Sequence, residues 1–429
     1  MRLRLVLILF IFYFWMSVVE ASYVFVRSEN ARGEKGKWYL EVDGKPFYIK
    51  GVGCGIAIGR NGLTDYLKLA KELGANTVRT WGTDQGSKEY LDLAQRYGLK
   101  VCASIWLNYV DEKGNCSYLY DNNYKNSKRQ EVLEYVRKFK DHPAILMWGV
   151  GNEALFFTKD EREKVALSIF LEELIKDIHE IDPNHPVVYA SASSVDLPYL
   201  ASYVPSLDIV GMNEYGSIRT AHGKWEYLGF DKPYVFTEYG PYLSSDRPKD
   251  VNGKAVELSD IDKAKRYKEF NEQIYSFKGY NLGGFVFHLG ETTQESMTWW
   301  NLNEGDLKRA SYWAIYEFYT GKKAPYAPIR VKSFSVSKIM DIEPSEEIEA
   351  RVDIGQGVHD NLIFNYALSS CEENVLKYYV NEYVPVEISG QGCKVKIKVP
   401  SEKGVYRVYC YIKDDKGNVA SQNKTIRVK

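Results

Sequence analysis

Residues 146–156 read LMWGVGNEALF. A run of core-type residues over 145–150 stops at Gly151-Asn152-Glu153, and apolar residues then resume. An amide and a carboxylate at the tip of a buried strand need a reason, because burying a charge is costly unless it is paired or used. One reading is a helix N-terminus, where Asn caps and Glu sits in the first turn. The other is a general acid at the mouth of a barrel, since strand C-termini carry the chemistry there. The two readings demand different things of the rest of the chain.

Outward from this stretch, short apolar runs alternate with helical periods. Strands are predicted at 47–52, 77–80, 100–105, 145–150, 187–190, 209–212, 234–237 and 284–287. Between them, segments 63–74, 87–98, 129–143 and 163–182 carry apolar residues at i, i+3, i+4 and end at Gly or before Pro. Eight strands alternating with helices predict a (β/α)8 TIM barrel over residues 47–321, close to the usual size of about 250 residues. An open doubly wound sheet would carry a glycine-rich phosphate turn after its first strand. Here that turn reads GVGCGIAIG, with neither the following helix nor an acidic ribose partner. Before the barrel, residues 22–46 read as a β-hairpin with an Asp-Gly turn, expected to pack on the barrel bottom. A proline-bearing linker, 322–330, follows the barrel. Beyond it, 331–429 change to period two, as in GVYRVYCYI, which predicts an immunoglobulin-like β-sandwich. In that stretch Tyr406, Val408, Cys410 and Ile412 share one face, so Cys410 is read as core.

The chain of 429 residues has a net charge of −1, which implies no broad basic field and no nucleic-acid partner. Aromatic residues make up 14%, with 34 Tyr, and such side chains suit the half-apolar faces of sugars. Arg2 and Arg4 precede an apolar stretch that ends at Val19-Glu20-Ala21. This reads as a signal peptide over 1–21 and an extracellular location, with an uncleaved membrane anchor as the alternative. Export makes disulfides permissible, and Cys371 with Cys393 is the candidate bridge among six cysteines. The six His are scattered, and neither CxxC nor HExxH occurs, so no metal or other cofactor is expected. Sequons stand at Asn115-Cys116-Ser117 and Asn423-Lys424-Thr425.

Applied to the strand tips, the barrel rule gathers Arg79 and Trp81 from strand two, and Asn152 and Glu153 from strand four. It adds Asn213, Glu214 and Tyr215 from strand six, Glu238 from strand seven, and His288 from strand eight, with Glu291 beyond. Glu153 and Glu238 form a carboxyl pair of the kind glycoside hydrolysis uses. One must be a neutral acid near pH 7 and the other ionised. Arg79 can keep a neighbouring carboxylate charged, Tyr215 can donate to it, and Asn152 can hold a sugar hydroxyl. Glu214 is the decoy, because strand alternation points it away from Asn213 and Tyr215. Trp81, Trp106, Trp225, Trp299 and Trp300 stand near the tips or in the long loops 107–128, 216–230, 239–262 and 288–307, expected to wall a cleft.

NTVRTW (76–81), WGVGNE (148–153), GMNEYG (211–216) and VFTEYG (235–240), in this order and on these strands, resemble the clan A glycoside hydrolases. The resemblance covers roughly residues 40–320. It implies a retaining β-glycosidase that cleaves oligo- or polysaccharides by double displacement. Glu153 would be the acid/base and Glu238 the nucleophile. Arg79, Trp81, Trp106, Asn152, Tyr215, His288, Trp299 and Trp300 would bind substrate. The chain looks most like the family-two barrel, through Asn213-x-Tyr215, although NTVRTW also resembles the family-five mannanases. It departs from family two in lacking the large N-terminal sandwich and a strand-eight Trp, for which Phe287, His288, Trp299 or Trp300 would substitute. A transglycosylase using the same pair is the nearest rival. A silent carbohydrate-binding protein is the other, and the joint presence of Glu153, Glu238, Arg79 and Tyr215 speaks against it.

Overall fold

A computed structural model describes residues 22–29, 37–54, 65–83, 87–111, 114–355, 361–373 and 379–429. The expected signal peptide lies outside the described residues. Among the described residues no helix is long and apolar enough to cross a membrane.

Eight parallel strands close into a barrel. In chain order they are Ile49–Cys54, Thr77–Arg79, Lys100–Ile105, Ile145–Asn152, Val187–Ala192, Ile209–Glu214, Tyr234–Tyr239 and Asn281–Leu289. Each predicted strand is present, and most run further at the C-terminal end than the apolar run that marks them. Strands covered on both faces read as continuous hydrophobic runs, and strand four is buried from Ile145 through Gly151. Gly151 is required at its tip. Its φ is +84°, and an added Cβ would come within 2.9 Å of the Tyr189 ring.

The helices start where short polar side chains can take up free backbone N–H groups. Asp65, Ser87, Asp121, Asp160, Ser217 and Ser259 each accept from an N–H in the first turn. The third helix starts earlier than predicted, at Asn122 rather than 129, and ends at Phe139. Its first turns, NNYKNSK, have no apolar period to betray them. The loop expected at 216–230 is largely a helix, Ile218–Tyr227. Trp225 on it packs on Tyr234 at the start of strand seven, away from the strand tips.

At the other end, Val24–Ser28, Trp38–Val42 and Lys45–Phe47 form a three-stranded antiparallel sheet. Its Val24, Leu40 and Val42 share an apolar cluster with Ile49, Leu146, Ile209 and Leu282 from the starts of barrel strands. That sheet covers the barrel bottom and leaves the strand C-termini open.

The C-terminal region is a β-sandwich of two four-stranded sheets. Tyr406, Val408, Cys410 and Ile412 face its core. The expected Cys371–Cys393 bridge is absent, and all six cysteines are free. Cys371 follows a strand of one sheet and lies 4.0 Å from Arg407 Nη2, whereas Cys393 is in a turn of the other sheet. The 423–425 sequon is engaged in the contact with the barrel. Asn423 Nδ2 donates to Glu257, and Thr425 Oγ1 accepts from Asn252.

The sandwich docks through buried charge. Arg309, fully covered, pairs with Asp260 at 3.2 Å and Glu304 at 3.0 Å and donates to Ser421 Oγ at 2.7 Å. Arg309→Ala leaves Asp260 buried without its main partner. We expect it to destabilise the full chain by about 3–5 kcal/mol in denaturant unfolding. An unchanged midpoint would show the interface to be loosely packed.

Candidate active site

Glu153 is the first residue past strand four. Its backbone is left-handed, with φ 54° and ψ 14°, and its N–H donates to Ala190 O at 2.8 Å on strand five. A non-glycine residue held there is strained by about 1–3 kcal/mol, a pattern found at functional sites. A short helix, Ala154–Phe157, follows, but the Glu153 side chain makes no capping bond to it. The helix-cap reading of the opening motif therefore fails. Instead Glu153 Oε1 accepts from Asn213 Nδ2 at 2.8 Å.

Glu238, near the end of strand seven, is only 6% exposed. Three donors converge on it. Arg79 Nη1 and Trp81 Nε1 reach Oε1, and the Tyr215 hydroxyl reaches Oε2, each at 2.7 Å. Every partner donates, which suits an ionised, acceptor-only carboxylate.

The two carboxylates are joined by one network. Arg79 Nη1 also donates to Thr237 O at 3.1 Å, and Nη2 to Asn152 Oδ1 at 2.7 Å. Asn213 Nδ2 donates to Asn152 Oδ1 at 3.1 Å as well as to Glu153, and its Oδ1 accepts from Thr237 Oγ1 at 2.7 Å. With its amide fixed this way, Asn213 can present only N–H to Glu153. Sequence reasoning gave Asn213 no role. Strand alternation is the signal that could have done so, since it shares the inward face with Tyr215.

The surroundings of Glu153 shift its carboxyl. Burial, followed by the nearby charge of Glu238, raises Glu153 from the ordinary carboxylate range to about 7, against the Asn213 hydrogen bond and Arg79. Glu153 then holds a proton in the folded protein at a pH where the unfolded chain, with an ordinary value of 4.5, has lost it. That contribution to stability is fully present below about 4.5 and is lost as pH rises through about 7. Glu153→Gln should therefore raise the melting temperature at pH 8, by a stabilisation of about 3 kcal/mol, and leave it unchanged at pH 4. A gain of equal size at both pH values would rule out the proton as its cause.

The remaining expected residues divide. Trp81 forms an aromatic wall with Phe287 and His288, at ring distances of 5.7 and 6.0 Å. His288 is buried, which lowers its pKa, and its Nδ1 lies 2.8 Å from Leu289 O. Trp106 is 39% exposed beyond strand three, as a stacking surface must be. Three of the expected sugar contacts are corrected by burial. Arg79 is 1% exposed and acts on Glu238 and Asn152 rather than outward. Trp299, 2% exposed, donates its Nε1 to Tyr242 O. Trp300, 4% exposed, lies against Tyr215 and Phe287. Glu214 is occupied elsewhere, accepting from Ser193 Oγ and from the N–H groups of Gly216 and Ser217. Among the described residues no cluster of three or more His, Cys, Asp or Glu could hold a metal ion.

Comparisons with known proteins bear on the barrel as a whole. Residues 35–246 match the family model for the TIM barrel domain of family 2 glycosyl hydrolases. The β-glucuronidase of Felis catus is 29% identical over 223 residues, covering 46% of this chain and 32% of that protein. That of Rattus norvegicus is 30% identical over 223 residues, with the same coverage. The chain thus spans about a third of the length of these curated relatives. A crystal structure of Bacteroides uniformis β-glucuronidase superposes with a TM-score of 0.52 at 16% identity, over 95% of this chain and 48% of that one. The closed eight-stranded barrel and the family-model match over residues 35–246 together support a clan A glycoside hydrolase barrel.

Proposed function

We propose that this protein is an exported, retaining β-glycosidase acting on oligo- or polysaccharides. One observation carries the reading: two carboxyls share the open end of the barrel in opposite environments. Glu238 sits among three donors, and Glu153 is raised to about 7. In the first step Glu238 attacks the anomeric carbon while Glu153 gives its proton to the leaving oxygen, yielding a glycosyl ester and a free alcohol. In the second, Glu153 takes a proton from water, whose oxygen attacks the anomeric carbon and releases Glu238. Two inversions give net retention. Tyr215 and Arg79 hold Glu238 in line for attack. Asn213 orients Glu153, and Asn152, with its Oδ1 engaged, offers its Nδ2 to a sugar hydroxyl.

A panel of aryl β-glycosides and β-linked polysaccharides tests this reading. It should include an aryl β-glucuronide, since the curated relatives are β-glucuronidases. Turnover of at least one substrate, abolished by Glu238→Ala, is the expected result. No turnover across the panel, with sugars still bound, would favour a binding protein. On the preferred substrate kcat/KM should fall as pH rises past about 7, where Glu153 loses its proton. A second reading, transglycosylation, draws on the exposed aromatics Trp106, just past strand three, and Phe156, in the short helix after Glu153, both 39% exposed, on which an acceptor sugar would stack. Products longer than the substrate would mark it.

A further inference from the structure

Among the described residues, the sandwich reaches the catalytic site chiefly through a short segment of the loop that follows strand eight. Trp300 on this segment packs its ring 4.9 Å from Tyr215 and 5.7 Å from Phe287. Tyr215 in turn donates to Glu238. From the barrel side, Glu257 accepts from Ser296 Oγ at 2.5 Å and Thr298 Oγ1 at 2.8 Å, and Lys263 donates to Thr298 O at 2.6 Å. From the sandwich side, Met297 N donates to the Tyr409 hydroxyl at 3.2 Å, and Asn423 Nδ2 donates to Glu257 Oε2 at 2.6 Å. Arg407 donates to Asn423 Oδ1 at 2.8 Å and to Ala255 O at 3.5 Å. Ala255 belongs to the same apolar cluster as Trp299 and Trp300. Tyr409 and Asn423 are cross-strand partners on neighbouring strands of the docking sheet. Burial alone would push the Glu257 carboxyl up, but Lys263 and Arg407 bring it down to about 2, so the clamp is charged at any working pH.

We infer that Arg407, Tyr409 and Asn423 of the sandwich are positioning residues for the active site. By fixing the segment that carries Trp300, they hold Tyr215 and its hydroxyl on the nucleophile. The inference rests on the glycosidase reading for its catalytic consequence, but the placement of Trp300 can be read without it. A loss of order 1 Å in placement costs about 100-fold in rate. A domain contact that only stabilises the fold would leave kcat of the folded fraction unchanged.

The test is a double-mutant cycle in the full chain between Asn423→Ala and Trp300→Ala, assayed on the best aryl glycoside of the panel. Each single variant should lower kcat by about 10–100-fold with KM within about threefold of the parent. Because both act through one contact, the losses should not multiply, and the double variant should lie within about threefold of the weaker single. Losses that multiply, or wild-type kcat in Asn423→Ala, would overturn the inference. Tyr409→Phe removes only the hydroxyl that accepts from Met297 and should shift kcat the same way by a smaller factor, which keeps the test open if Asn423→Ala does not fold. Tryptophan fluorescence supplies the second readout. The emission due to Trp300, obtained by subtracting the matching Trp300→Phe spectrum, should shift red and become more quenchable by acrylamide in the Asn423→Ala background, or in the Tyr409→Phe background if that variant replaces it. An unmoved Trp300 contribution overturns the inference. A moved one in a protein that turns over nothing supports it and sinks the glycosidase reading instead.

Discussion

Glu238→Ala is expected to lower turnover of every glycoside by about 10⁴–10⁶-fold, the scale on which removal of an activated nucleophile acts. The cavity left at Glu238 remains lined by Arg79, Trp81 and Tyr215, three donors aimed at one point. A small anion can occupy it. Azide added with a dinitrophenyl glycoside should therefore attack from the nucleophile's side and give a glycosyl azide of inverted configuration. Glu153 stays in place as proton donor, so its raised pKa should fall once the charge of Glu238 is gone. NMR of the azide product checks the outcome.

Glu153→Ala should separate the two steps. Natural glycans need a proton on the leaving oxygen, and their turnover should drop by about 10²–10⁴-fold. Dinitrophenyl glycosides hardly need that proton, so their first step should survive and a burst of dinitrophenol should precede a slow steady state. The slow phase reflects water without its base. Azide requires no deprotonation, so it should restore turnover and yield the retained product, opposite to that from Glu238→Ala. The alkaline limb of the pH profile near 7 should also vanish for these substrates. Exchange of the two azide configurations between the variants would exchange the roles of Glu153 and Glu238. Full activity in both variants would move the pair to Glu214 or Glu291.

The barrel was legible because strands buried on both faces leave continuous apolar runs, and because strand C-termini deliver Arg79, Glu153, Tyr215 and Glu238 to one rim. The hydrogen bond from Tyr215 to a carboxylate was likewise readable from its place on strand six. What escaped was burial imposed from outside the repeating pattern. In GVYRVYCYIK one face packs the sandwich core, and alternation assigns Arg407, Tyr409 and Tyr411 to solvent. All three are buried, Arg407 and Tyr409 against the barrel, with Tyr411 near Tyr383 and Glu304. Trp299 and Trp300 were misread for the same reason. Their loop looks like an open wall until the sandwich and the Glu257–Lys263 pair close over it. Asn213 escaped because alternation sets it on the inward face with Tyr215 but does not say which neighbour its amide serves.

The central claim is that Glu238 forms a bond to the sugar. Mass spectrometry of the proteolysed enzyme, after inactivation by a 2-deoxy-2-fluoro β-glycoside of the preferred sugar, measures this directly. A single fluoroglycosyl group on Glu238, in the peptide containing VFTEYG, is the predicted result. A label on Glu153 or Glu214, or no label together with an inverted first product, would contradict it.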